Sequence, residues 1–264
     1  MKDKIRAYLN AECPWSDTLH WYPQTDSTNI QAKALAKAGA PHGTVLIAGH
    51  QTGGRGRMGR TFQSPEGKGV YLSVILRPGC QPEDLMHLTC AAGVAKADAV
   101  EAVSGIRPGL KWINDLVIGT RKLGGILVEM SVDKGLVDYA VVGIGINCNQ
   151  APEDFPPELQ QIACSAAMVL GAPVDRSRLA AAMILSLERM SQTLLTDRQN
   201  IMSRYRSGCI TIGTQVTVLQ GDDRKDGHAL DILDDGSLLV TFADGHTAAV
   251  NSGEVSVRGL YGYT

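Results

Sequence analysis

The chain has 264 residues, of which 44% are hydrophobic and 20% charged, and its formal net charge is -2 at pH 7. That length holds one large domain, or one domain with a small appendix, and excludes a mini-protein held by staples. The near-neutral balance argues against a dedicated nucleic-acid coat, and no apolar run is long enough for a membrane span.

The six cysteines, Cys13, Cys80, Cys90, Cys148, Cys164 and Cys209, form no CxxC pair and no zinc-type spacing with the six histidines. Buried reduced thiols are expected. No basic segment with an apolar core opens the chain, so a cytoplasmic location is expected. Residues 1–24 carry a short helical pattern (Ile5, Tyr8, Leu9), then Trp15, Leu19, Trp21 and Tyr22, punctuated by Pro14 and Pro23. They are too few for a helix-turn-helix module of their own, so no DNA-binding domain is expected.

Asp26-Ser27-Thr28-Asn29 is rich in N-cap formers and leads into an Ala/Lys-rich helix from Ile30 to Ala38. Its first turn presents free N–H groups and small hydroxyls, which serve as a cap and also suit a polar ligand. Residues 43–48 read as a buried strand and residues 69–76 as the next one. Between them hangs Gly53-Gly54-Arg55-Gly56-Arg57-Met58-Gly59-Arg60, three arginines and four glycines in eight residues. Glycine lets successive N–H groups turn inward on an oxyanion, and arginine forks add charge-assisted bonds. An exposed basic turn, or an Arg/Gly segment that coats nucleic acid, is the alternative. Tethering by two strands favours a loop held in place, able to close over a ligand.

From Pro82 the spacing of Leu85, Leu88, Ala92, Ala95, Ala99 and Val103 predicts one long helix, in which His87 and Cys90 are structural. Leu110-Lys111-Trp112-Ile113-Asn114-Asp115-Leu116 follows, an apolar segment whose lysine, amide and carboxylate could meet one ligand. Val117–Ile118 and Lys122–Glu129 then form a β-hairpin about Gly119-Thr120-Arg121, with Lys122 at its mouth and Gly124-Gly125 beside it. Residues 137–149 form a strongly apolar, central strand. Its Gly143-Ile144-Gly145 lacks the helix and third glycine of a dinucleotide fingerprint, so a Rossmann fold is rejected. Residues 158–170 and 175–207 read as two helices packed on the sheet. From residue 208 short β-runs (Val216–Leu219, Ala229–Leu233, Leu238–Phe242, His246–Val250, Val255–Gly259) alternate with Gly/Asp turns, as in a small antiparallel barrel.

Taken in order, Asp26-Ser27-Thr28-Asn29, Gln51 with Gly54 to Arg60, Lys111 to Leu116, Lys122 to Leu127 and Gly143 to Asn147 resemble the biotin protein ligase family. The likeness runs from about residue 20 to 205, and the C-terminal β-rich part resembles that family's SH3-like appendix. Two positions depart from the usual pattern: Ile113 stands where proline is common, and Phe62 where an adenine-stacking tryptophan is frequent.

The resemblance implies an α+β fold, a mixed β-sheet with helices packed on it of the class II synthetase type. Residues 1–207 would form the catalytic domain and residues 208–264 the SH3-like β-barrel. It implies two steps: biotin and MgATP give biotinyl-5′-adenylate, then a lysine of a biotin carboxyl carrier domain attacks. That carrier would belong to acetyl-CoA carboxylase or another biotin-dependent enzyme. Arg55, Arg57, Lys111 and Lys122 would be catalytic. Biotin would be met by Ser27, Thr28, Asn29, Gln51, Arg55, Gly56, Arg57, Lys122, Gly125, Gly143 and Gly145. The nucleotide would be met by Arg57, Arg60, Phe62, Lys111, Asn114, Asp115 and Asn147, with Asp115 touching Mg²⁺ through water; no side chain is assigned as a metal ligand. Lipoate or octanoate ligation is the alternative reading. A homodimer paired through an exposed sheet edge is open, and nothing in the sequence selects it.

Overall fold

A computed structural model describes residues 1–9, 13–220, 223–251 and 254–257. In chain order these give α1 (Lys2–Tyr8), β1 (Leu19–Thr25), α2 (Thr28–Lys37), β2 (Thr44–Gln51), β3 (Gly69–Leu76) and α3 (Leu88–Ser104). Then come β4 (Gly109–Lys111), β5 (Asp115–Ile118), β6 (Arg121–Asp133), β7 (Leu136–Asn147), α4 (Ala166–Leu170), α5 (Arg176–Thr193) and α6 (Arg198–Gly208). The last five strands are β8 (Gln215–Gln220), β9 (Asp223–Ile232), β10 (Leu238–Phe242), β11 (Thr247–Val250) and β12 (Glu254–Val257).

The first seven strands make one mixed sheet in the order β1-β2-β3-β7-β6-β5-β4. Only the β1–β2 pair is parallel. β7 is central, as its apolar run requires: Val141, Val142 and Ile146 are shut off from solvent. One face carries the main core, with α3 packed on β4, β5 and β6, α5 on β3, and α1 on α5. The other face is only partly covered, by α2 against β2, β3 and β7 through Ala32, Ala36, Leu46, Ile75, Tyr139 and Val141. The uncovered remainder of that face is where a ligand can lie.

The other five strands form an antiparallel sheet in the order β11-β10-β9-β8-β12. It is tied to the first sheet near β4: Ile210 N–H donates to the Leu110 carbonyl at 2.9 Å, and the Trp112 indole donates to the Gly236 carbonyl at 2.8 Å.

Four expectations need correction. Pro23 is not mere punctuation but lies inside β1, a strand that the sequence reading passed over. β1 is an edge strand, where a missing N–H is tolerated. The long helix expected from Pro82 is a 3₁₀ turn, Pro82–Leu85, followed by α3. Of the helix expected over 158–170, only Ala166–Leu170 is α-helical, because its Ser165 cap restarts the chain only there: Ser165 Oγ accepts from Met168 N at 3.2 Å. The helix expected over 175–207 is two, α5 and α6, parted at Leu194–Asp197. Within the described residues β11 and β12 are the two edges of the small sheet, and Arg258 and Gly259, expected in its last strand, lie outside them.

Candidate active site

Sheet register alone assembles the floor of the site. Lys111 on β4 pairs with Asp115 on β5, Asp115 with Gly125 on β6, Gly125 with Gly145 on β7, and Gly145 with Tyr71 on β3. Two residues along, Leu127, Gly143 and Ser73 form the next rung with their side chains on the same face. The expected site residues from three separate stretches of sequence thus fall into two adjacent rows. Above them lies a cavity of about 270 Å³. Every residue expected to bind biotin or nucleotide lines it, from Ser27, Thr28 and Asn29 to Gly143, Gly145 and Asn147.

At one end of the cavity the neutral side chains of Ser27, Thr28, Asn29 and Gln51 form the lining, backed by an ion pair. Ser27 stands at the N-cap position of α2 without a side-chain cap bond, and Thr28 and Asn29 open the helix with both side chains buried. Gln51 Oε1 accepts from Thr28 N at 2.8 Å, which fixes the orientation of its amide, and Gln51 Nε2 donates to Ser64 Oγ at 2.9 Å. Ser73 Oγ lies 2.6 Å from Asn29 Oδ1, while Asn29 Nδ2 donates to Glu129 at 2.9 Å and to the Leu127 carbonyl at 3.3 Å. Glu129 is ion-paired with Lys33. Burial raises the Glu129 carboxyl, but bonds from Lys33 and Asn29 outweigh it and hold the group below its ordinary value. A saturated network of this kind sets rotamers rigidly. It leaves no room for bulk on the floor: a Cβ on Gly143 would sit 2.0 Å from Asn29 Oδ1.

The other end is cationic. Lys122 Nζ bonds Asp115 Oδ1 at 2.7 Å, with the Asp115 side chain 11% exposed. Lys111 is buried in the neighbouring strand. Burial pushes the Asp115 carboxyl up, yet Lys122, Lys111 and, from beneath the sheet, Lys96 together hold it below the usual carboxylate value. The backbone of Lys122 is clamped by Ile162–Cys164: Lys122 N donates to Ile162 O at 2.8 Å and Cys164 N to Lys122 O at 2.9 Å. The Asn147 amide is similarly engaged, donating to the Cys164 carbonyl at 3.0 Å and accepting from Gln150 Nε2 at 3.1 Å.

Over this end folds the Arg/Gly loop, closed on itself like a small hairpin. Gly56 N donates to Arg60 O at 2.7 Å and Phe62 N to Gly54 O at 2.9 Å. Met58 and Gly59 at its tip have φ of 54° and 76°, the left-handed region that a tight reversal needs. Arg57 Nη1 reaches Asn114 Oδ1 at 3.4 Å, joining the loop to the Lys111–Asp115 segment, whose Trp112–Ile113 peptide bond is cis. Phe62 packs over Gly145, where a Cβ would come within 2.5 Å of the ring, and meets Tyr71 edge-on at 6.4 Å.

The sequence pattern of the biotin/lipoate A/B protein ligase family matches residues 21–147, and that of the biotin protein ligase C-terminal domain matches residues 211–258. The chain is 36% identical to a biotin–[acetyl-CoA-carboxylase] ligase of Mycobacterium tuberculosis, over 88% of this chain and 86% of that one. It belongs to the biotin protein ligase family. A bifunctional ligase/repressor of Bacillus subtilis is 37% identical over 92% of this chain and 75% of its own length. Among solved structures, a biotin protein ligase from Aquifex aeolicus in complex with biotin and ATP superposes with a TM-score of 0.77, at 30% identity, covering 91% of this chain and 98% of that one. The mixed seven-stranded sheet with its helices, followed by a small SH3-like β-domain, is the architecture that a biotin protein ligase carries.

Two parts of the cavity wall were not legible in the sequence. Phe155, Leu159, Ile162 and Ala163 come from the segment read largely as helix, although Pro152, Pro156 and Pro157 signal an irregular chain there. Val255 reaches the cavity from β12, and nothing local announces that a residue of the small sheet will do so.

Proposed function

We propose that the chain activates biotin with ATP as biotinyl-5′-adenylate and transfers it to a lysine of a biotin carboxyl carrier domain. The observation that carries this reading is the polarity of the cavity above the sheet. Along β7, Gly143 lies at the neutral, hydrogen-bonding end and Asn147 at the lysine-bearing end, a span of about 13 Å at the rise of a strand. A ligand with a neutral polar head, an aliphatic chain and a carboxylate fits that order. Ser27, Thr28, Asn29 and Gln51 hold the ureido ring, Gly143 and Gly145 let Asn29 and Phe62 lie close over the sheet, Gly125 leaves space for the chain, and Lys122 holds the carboxylate. Arg57, Arg60, Phe62, Lys111, Asn114, Asp115 and Asn147 serve the nucleotide, with Asp115 acting through Lys122.

In the first step a carboxylate oxygen attacks the α-phosphate of ATP and pyrophosphate leaves. Two anions must approach, so the site has to supply fixed positive charge and alignment. Lys111, Lys122, Arg55 and Arg57 provide it. In the second step the acceptor amine attacks the mixed anhydride and releases AMP, which needs no enzyme nucleophile. The cysteines are unsuited to such a role, since burial pushes Cys148 up to about 12 and Cys164 up to about 11. Mg²⁺ enters with ATP as part of the substrate. Asp115 is the sole carboxylate among the described residues lining the cavity, and lysines surround it, so the donor set does not fit a protein-held divalent ion.

The reading assigns residues 1–207 to catalysis and residues 208–264 to an SH3-like appendix, and places the reaction in the cytoplasm. No helix among the described residues is long and apolar enough to cross a membrane. The acceptor is the carrier domain of acetyl-CoA carboxylase or another biotin-dependent enzyme. Names of two relatives, both biotin–[acetyl-CoA-carboxylase] ligases, favour biotin over lipoate.

Pyrophosphate release from MgATP, without carrier, tests the reading. Release is expected with biotin and not with lipoate; release with lipoate alone would move the chain to lipoate ligation. A second outcome concerns the loop. The adenylate is hydrolysable, so a closed loop should keep it from water. Arg57→Gly is expected to speed the escape of radiolabelled adenylate by roughly tenfold or more, about the factor that 1.4 kcal/mol of lost binding gives. Retention equal to the parent protein would count against the lid.

A further inference from the structure

α3 is packed with small apolar residues, yet at its centre Lys96 is 0% exposed, among Ala92, Ala95, Ala97, Ala99 and Val100. Its Nζ donates to the Gly125 carbonyl at 2.9 Å. The ammonium occupies the space beside Gly124, where a Cβ would lie 2.9 Å from Nζ and 2.2 Å from the Gly145 carbonyl. On the opposite face of β6, a Cβ on Gly125 would lie 3.7 Å from both Asp115 Oδ1 and Lys122 Nζ. Lys96 and Lys122 therefore flank the Gly124-Gly125 dipeptide from its two sides, one in the core and one in the cavity. Lys96 is absent from the cavity lining and cannot touch a ligand.

Burying an ammonium is unfavourable by several kcal/mol unless charge and hydrogen bonds compensate it, and an apolar side chain of the same length would fill the space without that penalty. Burial lowers the Lys96 amine well below an ordinary lysine, Asp115 pulls it back up, and Lys122 lowers it further. The three groups form one electrostatic unit across the strand.

We propose that Lys96 is a positioning residue for adenylation, which holds the Gly125 carbonyl from below and shares the Asp115 carboxylate, so that Asp115 offsets less of the positive field that Lys122 presents to the anions in the cavity. The inference rests on the adenylation reading. Without Lys96 the carboxylate draws more strongly on Lys122, and the approach of the biotin carboxylate to the α-phosphate loses cationic support. Aminolysis of the finished adenylate does not bring two anions together and is indifferent to Lys96.

Lys96→Met tests this, with three measurements: biotin-dependent pyrophosphate release, transfer from synthetic biotinyl-adenylate to a carrier domain, and thermal unfolding. The expected result is a kcat for pyrophosphate release lower by roughly tenfold, with KM for biotin and ATP within about threefold, transfer within about twofold, and a cooperative unfolding transition within about 5 °C of the parent's. In an Asp115→Asn background the same substitution should change kcat by less than about threefold, since the shared carboxylate is gone. An unchanged kcat, an equal loss in both half-reactions, or the full tenfold loss in the Asp115→Asn background would each overturn the proposal. Absence of biotin-dependent release from the parent protein would overturn the adenylation reading itself, and is seen before any variant is made.

Discussion

Lys122→Met is expected to reduce biotin-dependent pyrophosphate release by roughly a thousandfold, the upper range for removing one preorganised charge or donor from a reacting anion. The position of Lys122 is fixed at both ends: its side chain is bonded to Asp115, and its backbone is clamped on both sides by Ile162 and Cys164. A longer or repositioned cation does not replace it easily. Steady-state kinetics would separate this from a fold defect, because kcat should fall far more than KM for ATP rises. A loss smaller than about tenfold would mean that the biotin carboxylate is held elsewhere.

The same variant carries a pH signature. In the parent protein Asp115 is depressed below its ordinary 3.8, with burial opposing and Lys122 the strongest of the lowering influences. A carboxylate so depressed stabilises the fold fully above its unfolded pKa, and that contribution is lost as pH falls through the folded value. In Lys122→Met the strongest of the lowering influences is gone, so the folded pKa rises and the carboxylate takes up its proton at higher pH. Lys122 is 34% exposed and solvent screens the pair, so the destabilisation should stay near ~1–2 kcal/mol. Unfolding temperatures taken from pH 3 to pH 8 would check it: the gap between variant and parent should be full near neutral pH and narrow toward acid, where the parent loses the same contribution, and a gap independent of pH would count against the Lys122–Asp115 assignment. Lys122→Met/Asp115→Asn should recover the stability and not the activity.

The second large effect belongs to the other end of the cavity. Gly143→Ala places a methyl group 2.0 Å from Asn29 Oδ1 and 2.7 Å from Asn29 Cγ, so the amide must move. Moving it breaks the bonds to Ser73, Glu129 and the Leu127 carbonyl, each of them internal. The expected result is biotin binding weakened by about a hundredfold in calorimetry, since two or three hydrogen bonds of ~1 kcal/mol each are displaced together with the side chain. ATP binding should change little, because the nucleotide groups lie two and more residues along β7. Unaltered biotin affinity would show that the head group does not lie against Asn29. The strand itself tolerates alanine by conformation, so the variant should still fold, at a stability lower by roughly 1–3 kcal/mol.

The sequence by itself determined the elements whose pattern is local. The span of β3, Gly69–Leu76, follows from an apolar run interrupted only by Ser73, and α2 begins at the Ser27-Thr28-Asn29 cluster. The Arg/Gly loop, the Lys111–Asp115 segment, Lys122 and the paired glycines stood out because each combines residue types that suit close ligand approach or charge neutralisation. β1 did not, since Pro23 breaks the pattern of an otherwise ordinary edge strand. Only the tertiary structure decided which of these motifs meet. The rung from Lys111 through Asp115, Gly125 and Gly145 joins four strands by register, and a shift of one residue on any strand would turn its side chain to the other face. The irregular wall at Phe155–Ala163, the reach of Val255 and the hidden ammonium of Lys96 depend wholly on such long-range placement. In the sequence Lys96 is one more lysine in an alanine-rich helix, and no periodicity distinguishes a solvated charge from one that the packing of α3 on β6 buries beneath a pair of glycines.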